Sequence, residues 1–202
     1  MSSEKLEALQ EKEKLLFTAM SIAPGKYDDG EIQRRLTDLA AEYELYLSRN
    51  PKEPLGYVFY GKFLRRLDKR KYANEMFMKA NEINPNLAVV KQQIGNFLSE
   101  EGAFEFALPY FLAAIELSPN TAVYHYQLGE LLHTFKSGYV SEGVYSREIL
   151  EAQMQNAFAR ASLLDPGNRD FKYRYAESFY DVLYPDWETA LGVWSELEDS
   201  AT

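Results

Sequence analysis

At 202 residues, with 46% hydrophobic and 26% charged side chains, the chain has enough apolar content for a globular core or an extended array and lacks the composition of a disordered protein. It contains no cysteine, which excludes disulfides, thiolate metal sites and a cysteine nucleophile. A formal net charge of −9 argues against a general nucleic-acid binder, because such proteins need a cationic surface to displace counterions from phosphates.

Leu6, Leu9, Leu16 and Ala19 recur among many Glu and Lys, which predicts an amphipathic helix from Ser3 to about Met20. This stretch is charged where a secretory signal would be apolar, and no apolar run approaches the roughly 18 to 20 residues that cross a bilayer. The expectation is a cytoplasmic protein with no membrane segment. Pro24, Gly25 and Gly30 then break the helix, so residues 1–30 read as an N-terminal helix and linker. The helix either caps the exposed end of the next helices or mediates a homodimer. Residues 31–53 predict one further helix, closed by Pro51.

From there the chain repeats itself. "FMKANEINPN", "FLAAIELSPN" and "FARASLLDPGN" begin at Phe77, Phe111 and Phe158. Pro51, Pro85 and Pro119 fall at intervals of 34, and Pro166 comes after a further 47. Gly61, Gly95 and Gly129 keep the same beat, as do Leu64, Leu98 and Leu132, and Ala80, Ala114 and, with the same offset, Ala161. Several series sharing one period and one offset mark an internal repeat interrupted by an insertion of about 13 residues between Leu132 and Phe158.

A 34-residue unit with Gly early, Ala-x-x-x-Phe-x-x-Ala late and Pro at its end resembles the tetratricopeptide repeat, a helix-turn-helix family. The likeness covers about residues 31–198. It implies an all-α fold, a right-handed superhelix (α-solenoid) of antiparallel helix pairs. The repeats run 54–87, 88–121, 122–168 with the insertion, and 169–200, after a half repeat at 31–53. Tyr57, Lys91, His125 and Lys172 stand where the family favours Trp, and Ala176 replaces the small Gly. In the last repeat Ala190, Trp194 and Leu197 occupy the Ala, Phe and Ala slots about two residues late, after a turn and helix start at Pro185 and Asp186.

Each element of the motif has a physical reason. Gly inside a helix costs up to about 1 kcal/mol relative to Ala, so Gly61, Gly95 and Gly129 imply close helix approach, with Phe77 and Phe111 as the knobs beside them. Proline cannot continue a helix, so each one ends a unit. The insertion, "FKSGYVSEGVYSRE", lengthens either the turn or both helices of the third repeat. It reads as a tolerated loop or as a partner-binding one.

No catalytic signature emerges, and no cofactor or metal is expected. His125 and His133 are eight residues apart, about 12 Å along a helix, too far to share one metal as an i, i+4 pair does. "GYVFYGKF" at 56–63 begins like a phosphate-binding loop, but Phe63 replaces the hydroxyl and the stretch belongs to a predicted helix. The chain therefore reads as a non-enzymatic module for protein interaction.

In the family the first helix of each pair lines a concave peptide-binding groove. Helical counting from the glycines assigns to that groove Val58, Lys62, Arg65, Arg66, Gln92, Asn96, Ser99, Tyr126, Glu130, His133, Tyr173, Arg174, Glu177 and Tyr180. Such a groove is cationic at its start and acidic with aromatics at its end, and would orient an extended protein or peptide partner. Reversing Lys62, Arg65 and Arg66 to Glu is expected to weaken capture and leave the fold intact. The basic run 61–71 is otherwise explained by a helix C-terminus, where cations suit the macrodipole. The family's carboxylate clamp is incomplete: Asn96 and Arg174 match, but Gln92, Gln127 and Asp170 hold the remaining places. Two alternatives stay open at this level, the recognition arm of a larger enzyme or secretion machine such as a glycosyltransferase, and a secretion chaperone.

Overall fold

Among the described residues, four helices of this chain start at a side-chain cap, from Asp28, Ser146, Asn168 and Asp186. The computed structural model describes residues 2–22 and 28–199, and the expected break at Pro24 and Gly25 lies outside them. The eleven α-helices among the described residues are α1 (Ser2–Ile22), α2 (Asp29–Arg49), α3 (Pro54–Arg66), α4 (Arg70–Ile83), α5 (Ala88–Glu100), α6 (Phe104–Leu117), α7 (Ala122–Thr134), α8 (Lys136–Ser141), α9 (Arg147–Leu164), α10 (Arg169–Ser178) and α11 (Trp187–Asp199). A 3-10 turn, Phe179–Asp181, extends α10. No strand occurs among the described residues, and no helix there is long and apolar enough to cross a membrane.

Gly30 does not break a helix as expected. It lies in the first turn of α2, because the Asp28 carboxylate accepts from the Glu31 amide at 2.7 Å and caps the helix one residue earlier. Asn84, Ser118 and Asp165 close α4, α6 and α9, each donating its amide to the carbonyl four residues back, and the prolines after them stand in turns. Asp186 caps α11, accepting from the Thr189 amide at 3.1 Å and from the Thr189 hydroxyl at 2.7 Å.

The chain divides into two compact units, Met1–Asn86 and Leu87–Thr202. Within the first, α1 packs on α2, α2 on α3, and α3 pairs most extensively with α4. Leu6, Leu9 and Leu16 of α1 are buried, so the apolar face of this helix is spent on α2 and α3. Its Glu13 is buried as well, accepting from Tyr43 Oη at 2.9 Å and from Arg66 at 3.0 Å. Burial, and then the neighbouring carboxylate, push the Tyr43 phenol well above its ordinary range.

In the second unit α5 pairs with α6 and α7 with α9, while α6 packs on α7, α9 on α10 and α10 on α11. Within each unit every helix thus touches its near neighbours in sequence, which is how repeats that cannot bury an apolar face alone become stable. The repeated residues form the core. Ala73, Phe77, Ala80, Ala107, Phe111, Ala114, Phe158 and Ala161 are all at most 2% exposed, and each buried Phe contributes on the order of 1.5–3 kcal/mol. The insertion is built into the second unit as helix α8, the turn after it and a lengthened α9. Tyr139 of α8 is fully buried, donates to the Phe104 carbonyl at 2.7 Å and meets the Phe104 ring edge-on at 4.8 Å.

The positions where the family favours Trp acquire a different chemistry. Tyr57 Oη donates to the Pro51 carbonyl at 3.4 Å, and His125 Nε2 stands 2.8 Å from the Pro119 carbonyl, which requires the proton on that nitrogen. Each ties its helix to the proline turn six residues earlier. Lys172, the fourth of the series, instead pairs with Glu196 at 2.6 Å.

Candidate functional site

Six of the predicted groove residues converge in the second unit. Glu130 and His133 of α7, Tyr173, Arg174 and Glu177 of α10, and Tyr180 of the 3-10 turn line a cavity of about 570 Å³, together with Asp181 and Trp194. The cavity floor is Arg174. Its Nε donates to Glu130 at 2.7 Å and its Nη1 to Asp181 at 3.0 Å, and its guanidinium lies 4.3 Å from the Phe158 ring centroid. Burial alone would lower the Arg174 pKa, but the hydrogen bonds to the two carboxylates outweigh it and hold the group above its ordinary value. His133 Nδ1 stands 3.2 Å from the same Asp181 oxygen.

The backbone behind this cavity is held from the insertion. Glu151 of α9 is 4% exposed and accepts from Lys136 at 3.2 Å, Arg147 at 2.9 Å and the Leu183 amide at 2.8 Å. Lys136 also donates to the Asp181 carbonyl. Burial would raise the Glu151 carboxyl, but its donors, Arg147 foremost and then the Leu183 amide and Lys136, reverse the effect and hold it below the usual carboxylate range. Residues 181–183 are therefore fixed to α8 and α9 on one side and to Arg174 on the other.

Electrostatically the cavity is negative. Glu130, Glu177 and Asp181 face one half-buried cation, Arg174. The Tyr126 phenol beside them is pushed up by burial first and then by the Glu130 charge, with smaller contributions from Asp170 and Glu177 against the opposing one from Arg174. The rim is aromatic: Tyr173 meets Trp194 edge-on at 5.4 Å and Tyr180 meets Trp187 at 5.3 Å.

The other predicted residues are placed differently. Val58 is 2% exposed and Gln92 7%, so neither offers a side chain to a ligand, which corrects their assignment to a binding surface. Gln92 is occupied internally, donating to Gln127 at 2.9 Å and accepting from Gln93 at 2.7 Å, which also removes two places of the carboxylate clamp. Tyr126 packs on Phe158 and Phe171, its ring 4.9 Å from that of Phe171. Asn96 and Ser99 are half-buried on α5. In the first unit, Lys62 and Arg66 line a smaller cavity of about 200 Å³ with Glu13 and Phe59, and Arg65 is half-buried beside them on α3. Arg66 is committed to α1: it pairs with Glu13 and lies 3.7 Å over the Phe17 ring. Only Arg65 and Arg66 of the basic run sit at a helix C-terminus. Arg70 and Lys71 open α4, where the macrodipole disfavours cations, so the dipole does not account for the whole run.

"GYVFYGKF" lies within α3, where Gly56 and Gly61 admit the side chains of Tyr46 and Phe77 and form no phosphate-cradling loop. Two cavities of about 460 and 580 Å³ run along α1 and α2; they are charged as well, but Lys12 pairs with Glu42 at 2.6 Å and Arg35 with Glu31 at 2.7 Å, and none of the predicted groove residues lines them. Helical counting missed Asp181 and placed Trp194 as a packing residue. The signal for both was "YDVLYPDW", a short helix end and then a proline turn, which brings the next helix back over α10.

Helix pairs that pack on their sequence neighbours, with a glycine facing a phenylalanine ring in three of them, define the tetratricopeptide-repeat fold, an all-α solenoid. Solved structures bear this out. The chain superposes on MamA (residues 41 to end) from Desulfovibrio magneticus RS-1 with a TM-score of 0.63 at 15% identity, covering 95% of this chain and 93% of that one. YrrB, described as a tetratricopeptide-repeat protein with an unusual peptide-binding site, matches with a TM-score of 0.60 at 20% identity over 98% of this chain and 93% of its own. Pseudomonas aeruginosa PilF matches with a TM-score of 0.67 at 16% identity over 97% and 78%. No family model and no curated protein sequence matches the chain.

Proposed function

We propose that this protein is a cytoplasmic, non-enzymatic interaction module that binds a peptide or protein segment, with the cavity between α7, α10 and α11 as its principal contact. The observation that carries this reading is the convergence of Glu130, His133, Tyr173, Arg174, Glu177 and Tyr180 on one concave surface. Concave sites with a few convergent polar groups and aromatic walls are where proteins bind small partners' side chains, because such walls desolvate the contact. Among the described residues Glu151 pairs with Lys136, Glu130 with Arg174, and His125 with a backbone carbonyl. The structural likeness to a peptide-binding repeat protein supports the same reading at the level of the fold.

Homodimerisation through α1 finds less support, since Leu6, Leu9 and Leu16 of that helix are already buried within the first unit. Selection of random peptides displayed on phage against the full chain tests the proposal. A family of enriched sequences whose binding falls when Tyr173→Ala removes the aromatic wall is expected. Failure to enrich any sequence would overturn it.

A further inference from the structure

We propose that the partner segment is cationic and amphipathic: an Arg or Lys side chain enters the cavity beside Glu177, while neighbouring apolar residues lie on a ledge formed by Tyr180, Leu183, Tyr184 and Trp187. This inference rests on the peptide-binding reading above and names its chemistry. Two independent features carry it.

The first is charge. Glu130 and Asp181 share the half-buried Arg174, whereas Glu177 has no cation paired with it among the described residues. The cavity therefore retains negative charge after its internal pairing, and its aromatic walls, Tyr173 and Trp194, present rings to whatever enters. A ligand cation gains from both, by direct attraction to the carboxylate and by contact with the ring faces. An anionic ligand would meet Glu177 unscreened.

The second is the exposed apolar surface. Tyr180 is 68% exposed, Tyr184 85%, Trp187 49% and Leu183 46%. Tyr180 belongs both to the cavity wall and, through its contact with Trp187, to the ledge, so the two surfaces are continuous. The backbone beneath is not a loose loop. The Leu183 amide is tied to buried Glu151, Lys136 holds the Asp181 carbonyl, and Asp186 caps α11. Large apolar side chains displayed on a fixed backbone lose little entropy on binding, which favours their use as a docking surface. Charge complementarity with the adjoining cavity selects a basic partner over an acidic or purely apolar one.

Fluorescence anisotropy with short labelled peptides tests this on the full chain. The probes are an alternating Arg-Leu peptide, its Glu-Leu counterpart and an Arg-Ser peptide. The Arg-Leu peptide is expected to bind about tenfold more tightly than either of the others, since one lost favourable contact of roughly 1.4 kcal/mol is a factor of ten. Glu177→Gln, which keeps the shape of the side chain, should weaken the Arg-Leu peptide by about fivefold or more, and Tyr184→Ser should do so by a similar factor. Glu116→Gln, an exposed site on α6 that changes net charge equally, should leave binding unchanged and so separates the cavity from general attraction to an acidic protein. Equal binding of the Arg-Leu and Glu-Leu peptides, or equal effects of Glu177→Gln and Glu116→Gln, overturns the cationic partner while leaving peptide binding itself standing. If no probe binds and the display selection also enriches nothing, both readings fall.

Discussion

Gly129 of α7 faces the Phe158 ring of α9 so closely that a Cβ added to the glycine would stand 2.6 Å from the nearest ring carbon. The same pairing recurs one and two repeats earlier, Gly95 with Phe111 at 3.2 Å and Gly61 with Phe77 at 2.7 Å. Phe158 in turn supports the Arg174 guanidinium, so the repeat's packing contact lies directly beneath the candidate site.

These distances order the three glycines. Alanine is the better helix former by about 1 kcal/mol, so substitution is a contest between propensity and crowding. At Gly129 and Gly61 crowding against a fully buried ring dominates, and Gly129→Ala and Gly61→Ala are each expected to destabilise the fold by about 1–3 kcal/mol. At Gly95 the ring needs to yield only slightly, and Gly95→Ala is expected within about 0.5 kcal/mol of the parent, although Gly95→Leu would overpack the same contact. Urea unfolding of the three alanine variants checks the order; a Gly95→Ala variant as unstable as Gly129→Ala would refute the packing account.

Glu151 makes stability depend on pH. Its carboxyl is held below the usual range in the folded protein, so its contribution is fully present above the unfolded value of about 4.3 and is lost as pH falls through the folded value. Stability should therefore drop in the acid range below about pH 4. Glu151→Gln leaves Lys136 and Arg147 without their carboxylate and is expected to cost about 2–4 kcal/mol at pH 7, with a flatter acid limb. Thermal unfolding between pH 3 and pH 7 on both proteins measures it. Parallel curves for the two would show that Glu151 is not the titrating group.

The Glu13–Arg66 pair alters what charge reversal can test. Arg66 is half-exposed but its partner Glu13 is buried and also accepts from Tyr43, so Arg66→Glu places two carboxylates together at the α1–α3 contact. We expect a loss of about 1–3 kcal/mol in the first unit. This corrects the expectation that reversing Lys62, Arg65 and Arg66 together leaves the fold intact. Circular dichroism melting of Arg66→Glu alone, against Lys62→Glu alone, distinguishes the cation paired with buried Glu13 from its neighbour on α3; identical melting temperatures would contradict the assignment.

The periodic features were legible in the chain because a repeat writes the same packing problem several times. Gly61, Gly95 and Gly129 could be matched with Phe77, Phe111 and Phe158 from spacing alone, and the prolines marked where each pair must end. Helical counting also placed six residues on the surface that forms the cavity. It could not tell which of these residues are covered. Val58, Gln92, Tyr126 and Tyr173 hold the same place in successive repeats, yet the first two are buried and Tyr173 is half-exposed.

By itself, then, the sequence determined the helix-pair architecture, because that depends on local propensity and on a period that any single chain displays. Tertiary structure alone decided the chemistry of the site. Arg174 meets Glu130 across 44 residues, and Glu151 reaches Lys136 across 15 and Leu183 across 32, separations at which no spacing rule operates. Which carboxylate is neutralised and which is left without a cation is fixed by those long-range pairings.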